Sequence, residues 1–163
     1  MPDVIDIYSK GAYPADCLSN FYPHAFVIDG VACASMEGFL QSLKCRSPRR
    51  QKKICALVGK DAKKRGKRKF FWRLTGTLYW QGVPLKRTSG AYATLLCRAY
   101  LEMYLQAPAF RAALEATRGK KLIHSIGGRD PRATVLTEGE FISCLTLLRE
   151  GGGEPIFDGA SLS

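Results

Sequence analysis

The clearest constraint on the fold is a long amphipathic pattern that begins at Ser89. Ser89 is a typical N-cap residue, and the apolar positions after it recur three and four residues apart, which places them on one helix face. These positions are Tyr92, Leu95, Leu96, Ala99, Tyr100 and Met103. Near the end of the chain, the capping box from Thr137 to Glu140 predicts a second helix that the glycines at 151–153 end. The sequence therefore predicts a domain built mainly from helices.

The segment before residue 45 predicts one hairpin and one short helix. Residues 24–28 and 31–33 flank Asp29-Gly30, the expected two-residue hairpin connection. Ser35 is a plausible N-cap for a helix that reaches about Lys44.

The middle of the chain predicts more helix and a small amount of sheet. Ser47-Pro48 should start a helix that Gly59 stops, and residues 61–65 form a short polar turn or helix. Residues 70–80 are aromatic and β-like, and residues 81–84 form a turn.

The fold class follows from these elements. Pro108 opens a further helix that runs to Thr117. With 163 residues, the chain is long enough for one domain with its own core. We predict a single, mostly helical α+β domain over residues 1–150, followed by a flexible tail over residues 151–163.

Positive charge is concentrated in one segment. The chain has a formal net charge of +11, and the stretch from Lys44 to Arg73 contains fourteen Lys and Arg residues and one acid, Asp61. A solvated basic face is the ordinary explanation of such a run. This density exceeds what solubility requires, so it favours contact with phosphates or with a polyanion.

Several other classes of protein do not fit the sequence. The chain has no run of about 20 apolar residues, and residues 1–10 carry acids where a signal peptide is basic and apolar. We therefore expect a soluble, cytoplasmic protein without a membrane partner. The cysteines are scattered and the two histidines lack zinc-site spacing, so we expect free thiols and no metal. The cysteines are Cys17, Cys33, Cys45, Cys55, Cys97 and Cys144.

One helix face could carry chemistry. Glu37, Gln41 and Lys44 follow an i, i+4, i+7 spacing, and this spacing projects them from the same face. An ordinary amphipathic helix with a solvated polar face would show the same pattern. Glu37 lies in the first turn, where helix N–H groups favour a carboxylate that could stabilise an oxocarbenium ion.

At this helix the sequence resembles the NADAR (YbiA-like) family, whose opening motifs match Asn20-Phe21, Asp29-Gly30, Glu37 and residues 41–44. Further motifs of one branch of the family match in the same order. They are residues 78–82, 87–89, Tyr92, 98–100, 124–127, Asp130-Pro131 and 134–141. The resemblance covers residues 18–149.

The resemblance implies an N-glycosidase that needs no metal or other cofactor. Some members of the family hydrolyse early riboflavin-pathway intermediates, and others remove ADP-ribose from guanine in nucleic acid. It makes Glu37 the key acid and Lys44 the candidate for a Schiff-base lysine, with Asp130 as a third catalytic residue. The substrate-binding residues that we assign with it are Asn20, Phe21, Gln41, Trp80, Arg87, Tyr92, His124 and Gly127.

Three positions depart from the family's pattern. Gly38 stands where better-known members have a histidine, and Met103-Tyr104 aligns near their Lys-Phe pair. A Trp-Gly pair expected after Asp130 is also replaced. These differences argue against the riboflavin-type activity more than against the ADP-ribose type.

Individual candidates have ordinary structural explanations as well. Trp80 could stack on a base or lie in the core, and Arg87 could bind a phosphate or be surface charge. His124 could be an acid or base or a structural histidine. Asp130 and Gly127 both lie in turns, where Asp and Gly are common for backbone reasons.

We therefore expect a hydrolase that removes ADP-ribose from guanine in nucleic acid or from a related nucleotide. The alternatives are an N-glycosidase for phosphoribosyl intermediates of riboflavin biosynthesis and a non-catalytic module that binds ADP-ribose or nucleic acid. Whether the protein acts alone or opposes a partner ADP-ribosyltransferase stays open.

Overall fold

Helices make up most of the regular structure in residues 3–151, the part of the chain that the computed structural model describes. The helices are α1 (Ala15–Leu18), α2 (Met36–Ser42), α3 (Pro48–Cys55), α4 (Gly59–Lys67), α5 (Phe71–Thr75), α6 (Gly90–Gln106), α7 (Pro108–Glu115) and α8 (Glu138–Gly151). The strands are β1 (Val4–Asp6), β2 (Phe26–Ile28), β3 (Val31–Cys33), β4 (Thr77–Trp80), β5 (Val83–Lys86) and β6 (Lys121–Ile123). This confirms the α+β prediction. Residues 152–163 of the predicted tail lie outside the described residues.

The long helix α6 is at the centre of the core. The Ser89 hydroxyl accepts a hydrogen bond from the Tyr92 N–H at 3.2 Å, as an N-cap residue should. All six predicted apolar positions of this helix are buried. Helix α6 packs against β2, α7 and α8, so one apolar face joins the hairpin to the C-terminal half. The predicted helix is confirmed.

The strands form three separate pairs. β2 and β3 make the predicted hairpin, with Asp29 (φ 48°) and Gly30 (φ 76°) in its turn. The hairpin begins at Phe26, two residues later than predicted. β4 and β5 are also antiparallel, whereas β1 pairs in parallel with β6.

The prediction of β structure over residues 70–80 is wrong in its first half. Phe71–Thr75 is a helical turn, and Gly76 ends it in the left-handed conformation (φ 66°) while its N–H donates to the Trp72 carbonyl at 2.7 Å. Only Thr77–Trp80 forms a strand. The tight turn that follows is limited to Gln81 and Gly82, because Pro84 pairs within β5.

Gly59 does not end the helix that begins at Pro48. That helix, α3, stops at Cys55, and Gly59 is the first residue of α4. The short polar turn or helix predicted over residues 61–65 is helical and lies within this nine-residue helix. α4 packs against α2, and this contact brings the basic segment to the helix that carries Glu37.

Two further properties concern the described residues. All six cysteines are free thiols, five of them buried and Cys97 half-buried. Between residues 3 and 151, no helix combines the length and apolar character that crossing a bilayer would require.

Candidate active site

Helix α2 begins at a rigid junction of three chain segments. The Ser35 hydroxyl accepts from the Gly38 N–H at 3.0 Å and donates to the Leu57 carbonyl at 2.9 Å. The Glu37 N–H donates to the Asn20 carbonyl at 3.0 Å. A Cβ atom at position 38 would lie 2.5 Å from the Leu57 oxygen, so this close approach requires glycine. The junction fixes the backbone from which the Glu37 side chain projects.

The Glu37 carboxyl is buried among polar and basic groups. It is 8% exposed and accepts a hydrogen bond from the Gln41 amide at 2.8 Å. Burial raises the pKa of Glu37 above its ordinary value. The Gln41 hydrogen bond and the charges of Lys63, Lys44 and His124 oppose that rise without cancelling it. Glu37 therefore takes up a proton more readily than an exposed glutamate.

This direction corrects the expectation that the start of the helix keeps Glu37 ionised. The N–H of Glu37 is bound to Asn20, and the N–H of Gly38 is bound to Ser35. Because these first-turn N–H groups already have hydrogen-bond partners, they do not stabilise the Glu37 carboxylate. The cost of burying its charge therefore determines the direction of the pKa shift.

Lys44 lies just beyond the end of α2 and is half-buried. Its Nζ atom is 5.9 Å from the centroid of the Trp72 ring, within reach of a cation–π interaction. Burial lowers the pKa of Lys44 to about 8, and the positive charges of Arg73 and Lys63 act in the same direction. The negative charge of Glu37 opposes this shift. A tenth of an ammonium population with a pKa near 8 is neutral at about pH 7. Lys44 can therefore present a free amine at physiological pH.

The polar face predicted for α2 is buried rather than solvated, since Glu37 and Gln41 are both covered by neighbouring elements. Gln41 is 8% exposed, and a Cβ atom at Gly66 would lie 1.7 Å from its Oε1 atom. Helix α4 therefore passes over α2 at a glycine. Among the described residues, this Oε1 is the one buried side-chain oxygen or nitrogen without a hydrogen-bond partner. Because Gln41 gives its amide hydrogen to Glu37, it orients that carboxyl.

The Asn20-Phe21 motif lies on the same side of the molecule. The Tyr100 hydroxyl donates to Asn20 Oδ1 at 2.7 Å, and burial raises the pKa of Tyr100 well above its usual value. The Lys63 Nζ atom is 5.7 Å from the centroid of the Phe21 ring. The Asn20 carbonyl therefore holds the backbone N–H of Glu37, and the Phe21 ring lies near Lys63, whose charge lowers the pKa of Glu37.

His124 approaches this cluster from the β6 side. Its Nδ1 atom lies 2.6 Å from the Ile7 carbonyl oxygen, which can only accept, so Nδ1 carries the donated hydrogen. Its ring packs edge-on against Phe141 at 5.1 Å. A Cβ atom at Gly127 would lie 2.6 Å from His124 Cδ2, so Gly127 leaves room for the imidazole. The charge of His124 acts on the pKa of Glu37.

Trp80 is a core residue in the structure. It is 7% exposed, and its indole N–H donates to Asp29 Oδ2 at 2.7 Å. Its ring packs edge-on against Phe39 at 5.2 Å. The indole faces are therefore not open to a base, and the prediction that Trp80 stacks on one is corrected.

Arg87 and Tyr92 are also committed to internal contacts. The Arg87 guanidinium is 3% exposed and binds both carboxylate oxygens of Glu140, at 3.0 and 2.6 Å. Its Nε donates to the Thr134 carbonyl at 2.9 Å. The Tyr92 ring lies 4.8 Å below the guanidinium, and its hydroxyl donates to the Val135 carbonyl. Arg87 therefore ties the last helix to the core, and this corrects its proposed contact with a phosphate.

Asp130 lies in an exposed turn, apart from the group formed by Glu37, Gln41 and Lys44. Its carboxylate accepts from the Arg132 backbone N–H at 2.9 Å and from the Arg132 guanidinium at 3.2 Å. Those hydrogen bonds lower the pKa of Asp130. Within the described part of the chain, no hydrogen bond or ion pair joins it to Glu37 or Lys44. The structure favours the turn-forming role over the catalytic one.

Three residues around Glu37 and Lys44 were not selected from the sequence as site residues. Lys63 is one of many cations in its segment, and nothing local distinguishes it. Trp72 lies in a stretch predicted as strand, and Tyr100 has the spacing of an ordinary core residue. Two signals for Tyr100 were available in the sequence, namely its hydroxyl on a predicted apolar helix face and its place in the family motif over residues 98–100.

Comparisons with known proteins identify a matching family and a similar sequence. Residues 12–150 match the family described as bacteriophage protein GP30.3. The chain is similar to the uncharacterized 17.1 kDa protein in the Gp30-rIII intergenic region of Enterobacteria phage T4. The two are 42% identical over 147 residues, which is 90% of this chain and 97% of that protein.

A solved structure is similar in fold. The NMR structure of the E. coli protein YbiA superimposes with a TM-score of 0.61 and 19% sequence identity. The similarity covers 93% of this chain and 86% of the YbiA chain. At this identity the comparison shows a shared fold.

Proposed function

The chain belongs to the bacteriophage GP30.3 family and has a YbiA-like fold. We propose that it is a NADAR-type N-glycosidase that removes ADP-ribose from guanine in nucleic acid. The observation that carries the proposal is the placement of Glu37 on α2 and of Lys44 just beyond its C-terminal end, where each charge acts on the pKa of the other. Burial shifts both groups towards their neutral forms, with the pKa of Glu37 raised and that of Lys44 lowered to about 8. An acid and an amine matched in this way can exchange protons with a substrate near neutral pH.

In the first step, Lys44 is the nucleophile and Glu37 is the acid. The lone pair of the neutral Nζ attacks C1′ of the ADP-ribosyl group, and the bond from C1′ to the guanine nitrogen breaks. The leaving nitrogen takes the proton of the Glu37 carboxyl, so guanine is released and Glu37 becomes a carboxylate. Nζ is now bonded to C1′ and carries a positive charge.

In the second step, the sugar ring opens and water completes the hydrolysis. One Nζ proton moves to O4′ as the C1′–O4′ bond breaks, which leaves a protonated imine between Nζ and C1′. Water adds to C1′ and gives a proton to the Glu37 carboxylate. The hydroxyl proton of the adduct then returns to Nζ as the C1′–Nζ bond breaks. Free ADP-ribose, a neutral Lys44 and a protonated Glu37 result.

The proposal is tested with an oligonucleotide that carries one ADP-ribosylated guanine. Release of ADP-ribose is followed by chromatography for the wild type, Glu37→Gln and Lys44→Arg. We expect the rate of each variant to fall by at least about 100-fold, which is the usual contribution of a general acid. The loss for Lys44→Arg should be larger, because it removes the nucleophile. Glu115→Gln, which changes a half-buried carboxylate on α7 that pairs with Arg118, is the matched control and should retain activity. Reduction with cyanoborohydride should trap the imine in the wild type as a covalent ADP-ribose adduct on Lys44, detected by mass spectrometry.

Other outcomes identify the rival functions. Release of base only from a phosphoribosyl intermediate of riboflavin biosynthesis would replace the proposed substrate. Tight binding of the modified oligonucleotide without any release of ADP-ribose would show a binding module. Full activity of Glu37→Gln would refute the role of the carboxyl.

A further inference from the structure

An aromatic pair projects into solvent at the start of α5. The side chains of Phe70 and Phe71 are 57% and 71% exposed, and their rings are stacked at 5.3 Å with an angle of 11° between planes. Leu74, one turn later, is 76% exposed. Trp72 points the other way and is 4% exposed, so it anchors the turn. A patch of this kind is costly to hydrate and marks a contact surface.

This aromatic pair lies inside the basic segment. Lys67, Arg68 and Lys69 come directly before it, and Arg73 follows. Within residues 3–151, no carboxylate lies within 4.0 Å of any Lys or Arg of the segment from Lys44 to Arg73, since every ion pair found there involves other residues. The positive charge around the aromatic pair is therefore not neutralised by neighbouring acids.

A cavity continues the surface. It has a volume of about 530 Å³ and lies against Cys45, Arg46, Ser47, Pro48, Arg50, Lys69 and Gly82. Three of these residues, Arg46, Arg50 and Lys69, are cations. Lys69 is also the residue directly before Phe70, so the cavity and the aromatic pair are joined through it. A phosphate and its sugar fit a concave site of this size and charge.

We propose that this surface, formed by Phe70, Phe71, Arg46, Arg50 and Lys69, binds single-stranded nucleic acid. The cations of the cavity hold a backbone phosphate, and the faces of Phe70 and Phe71 stack on unpaired bases. Only a single strand offers both, because base faces are hidden in a duplex. The inference rests on the proposed function in one respect, since it supplies the surface that holds the polymer while Glu37 and Lys44 act.

An anionic membrane is the other occupant that such residues could meet. The structure favours the single strand for two reasons. The cations of the cavity line a recess, which suits a discrete phosphate better than a flat bilayer surface. The apolar part is limited to two parallel rings and Leu74 on a five-residue helix, which is little area for insertion into lipid.

The test is binding of fluorescein-labelled oligothymidylate, which contains no guanine and no ADP-ribose, by fluorescence polarisation. We expect the double variant Phe70→Ser/Phe71→Ser to weaken binding by about tenfold or more, the usual effect of losing stacked bases. Lys69→Gln should weaken it and reduce the slope of log affinity against log salt concentration by about one. Leu105→Ser and Lys10→Gln, which change an exposed apolar and an exposed basic residue elsewhere, are the matched controls.

Several results would overturn the inference. These are equal affinity for the aromatic double variant and the wild type, preference for duplex over single strand, and binding to phosphatidylserine vesicles that oligothymidylate does not compete away.

Hydrolysis of a short ADP-ribosylated guanosine nucleotide separates this inference from the proposed function. We expect the surface variants to cleave it at the wild-type rate. If the wild type binds oligothymidylate as proposed but cleaves no modified guanine, only the proposed function fails.

Discussion

The chemistry of Lys44 can be tested without any substrate. Its pKa of about 8 lies well below the 10.5 of an ordinary lysine, because its ammonium group is half-buried against Trp72 and near other cations. At pH 7, about one tenth of the Lys44 side chains should be neutral, against about one in 3,000 for an ordinary lysine. The concentration of reactive amine is therefore raised by about 300-fold.

Competitive labelling with trace acetic anhydride between pH 6 and pH 11 measures this difference. Free N-acetyl-lysine serves as the reference, and the peptide that contains Lys44 is quantified by mass spectrometry. We expect labelling of Lys44 to reach half its maximum near pH 8. The charge of Glu37 raises the pKa of Lys44, so Glu37→Gln should move the midpoint to lower pH.

Two results would refute this reasoning. A midpoint above pH 10 in the wild type would mean that burial does not control the amine. A shift to higher pH in Glu37→Gln would mean that the carboxylate does not act on Lys44. Under the proposed mechanism, adduct formation needs a neutral Lys44 and a protonated Glu37, so its rate should depend on pH as a bell-shaped curve that falls at low pH as Lys44 is protonated and at high pH as Glu37 ionises.

Two further predictions concern stability. Gly66→Ala should lower the free energy of unfolding by about 1–3 kcal/mol in urea denaturation, because its Cβ would displace the Gln41 amide. Gly139→Ala, where no atom lies within 4 Å of the new Cβ, should be neutral or stabilising by up to about 1 kcal/mol, and equal losses in both would contradict the packing argument. Arg87→Met should lower the free energy of unfolding by about 3 kcal/mol at pH 7, because it leaves Glu140 unpaired. Burial alone would raise the pKa of Glu140, but the hydrogen bonds from Arg87 lower it overall, so this stabilisation is present above pH 4.5 and is lost as pH falls through the folded-state pKa. Thermal melts from pH 7 to pH 3 should therefore converge for wild type and Arg87→Met, and a constant gap would contradict the assignment.

The boundaries that the sequence predicts correctly are those with local chemistry. The Ser35 and Ser89 hydroxyls both cap helices as predicted, and in the capping box Glu140 accepts from the Thr137 N–H at 2.8 Å. The turn at Asp29-Gly30 forms because its residues tolerate positive φ. Each of these features depends on contacts within about four residues, so spacing alone identifies it.

The errors occur where distant segments decide the outcome. Residues 71–75 have the composition of a strand, yet Trp72 is buried as the anchor of a helical turn beside Lys44. Arg87 has the appearance of a phosphate ligand, but its partner Glu140 lies on the last helix. No local pattern contains these pairings, because they are made by packing between elements far apart in sequence.

By itself, the sequence determined that Glu37 and Gln41 share one face of a short capped helix, with Lys44 close behind them at the start of a strongly basic segment. The tertiary structure alone decided what that face meets. Helix α4 crosses it at Gly66, and the turn at Trp72 closes over Lys44. Burial then raises the pKa of one group and lowers that of the other, because the cost of removing a charge from water depends on the surrounding packing and not on the order of residues.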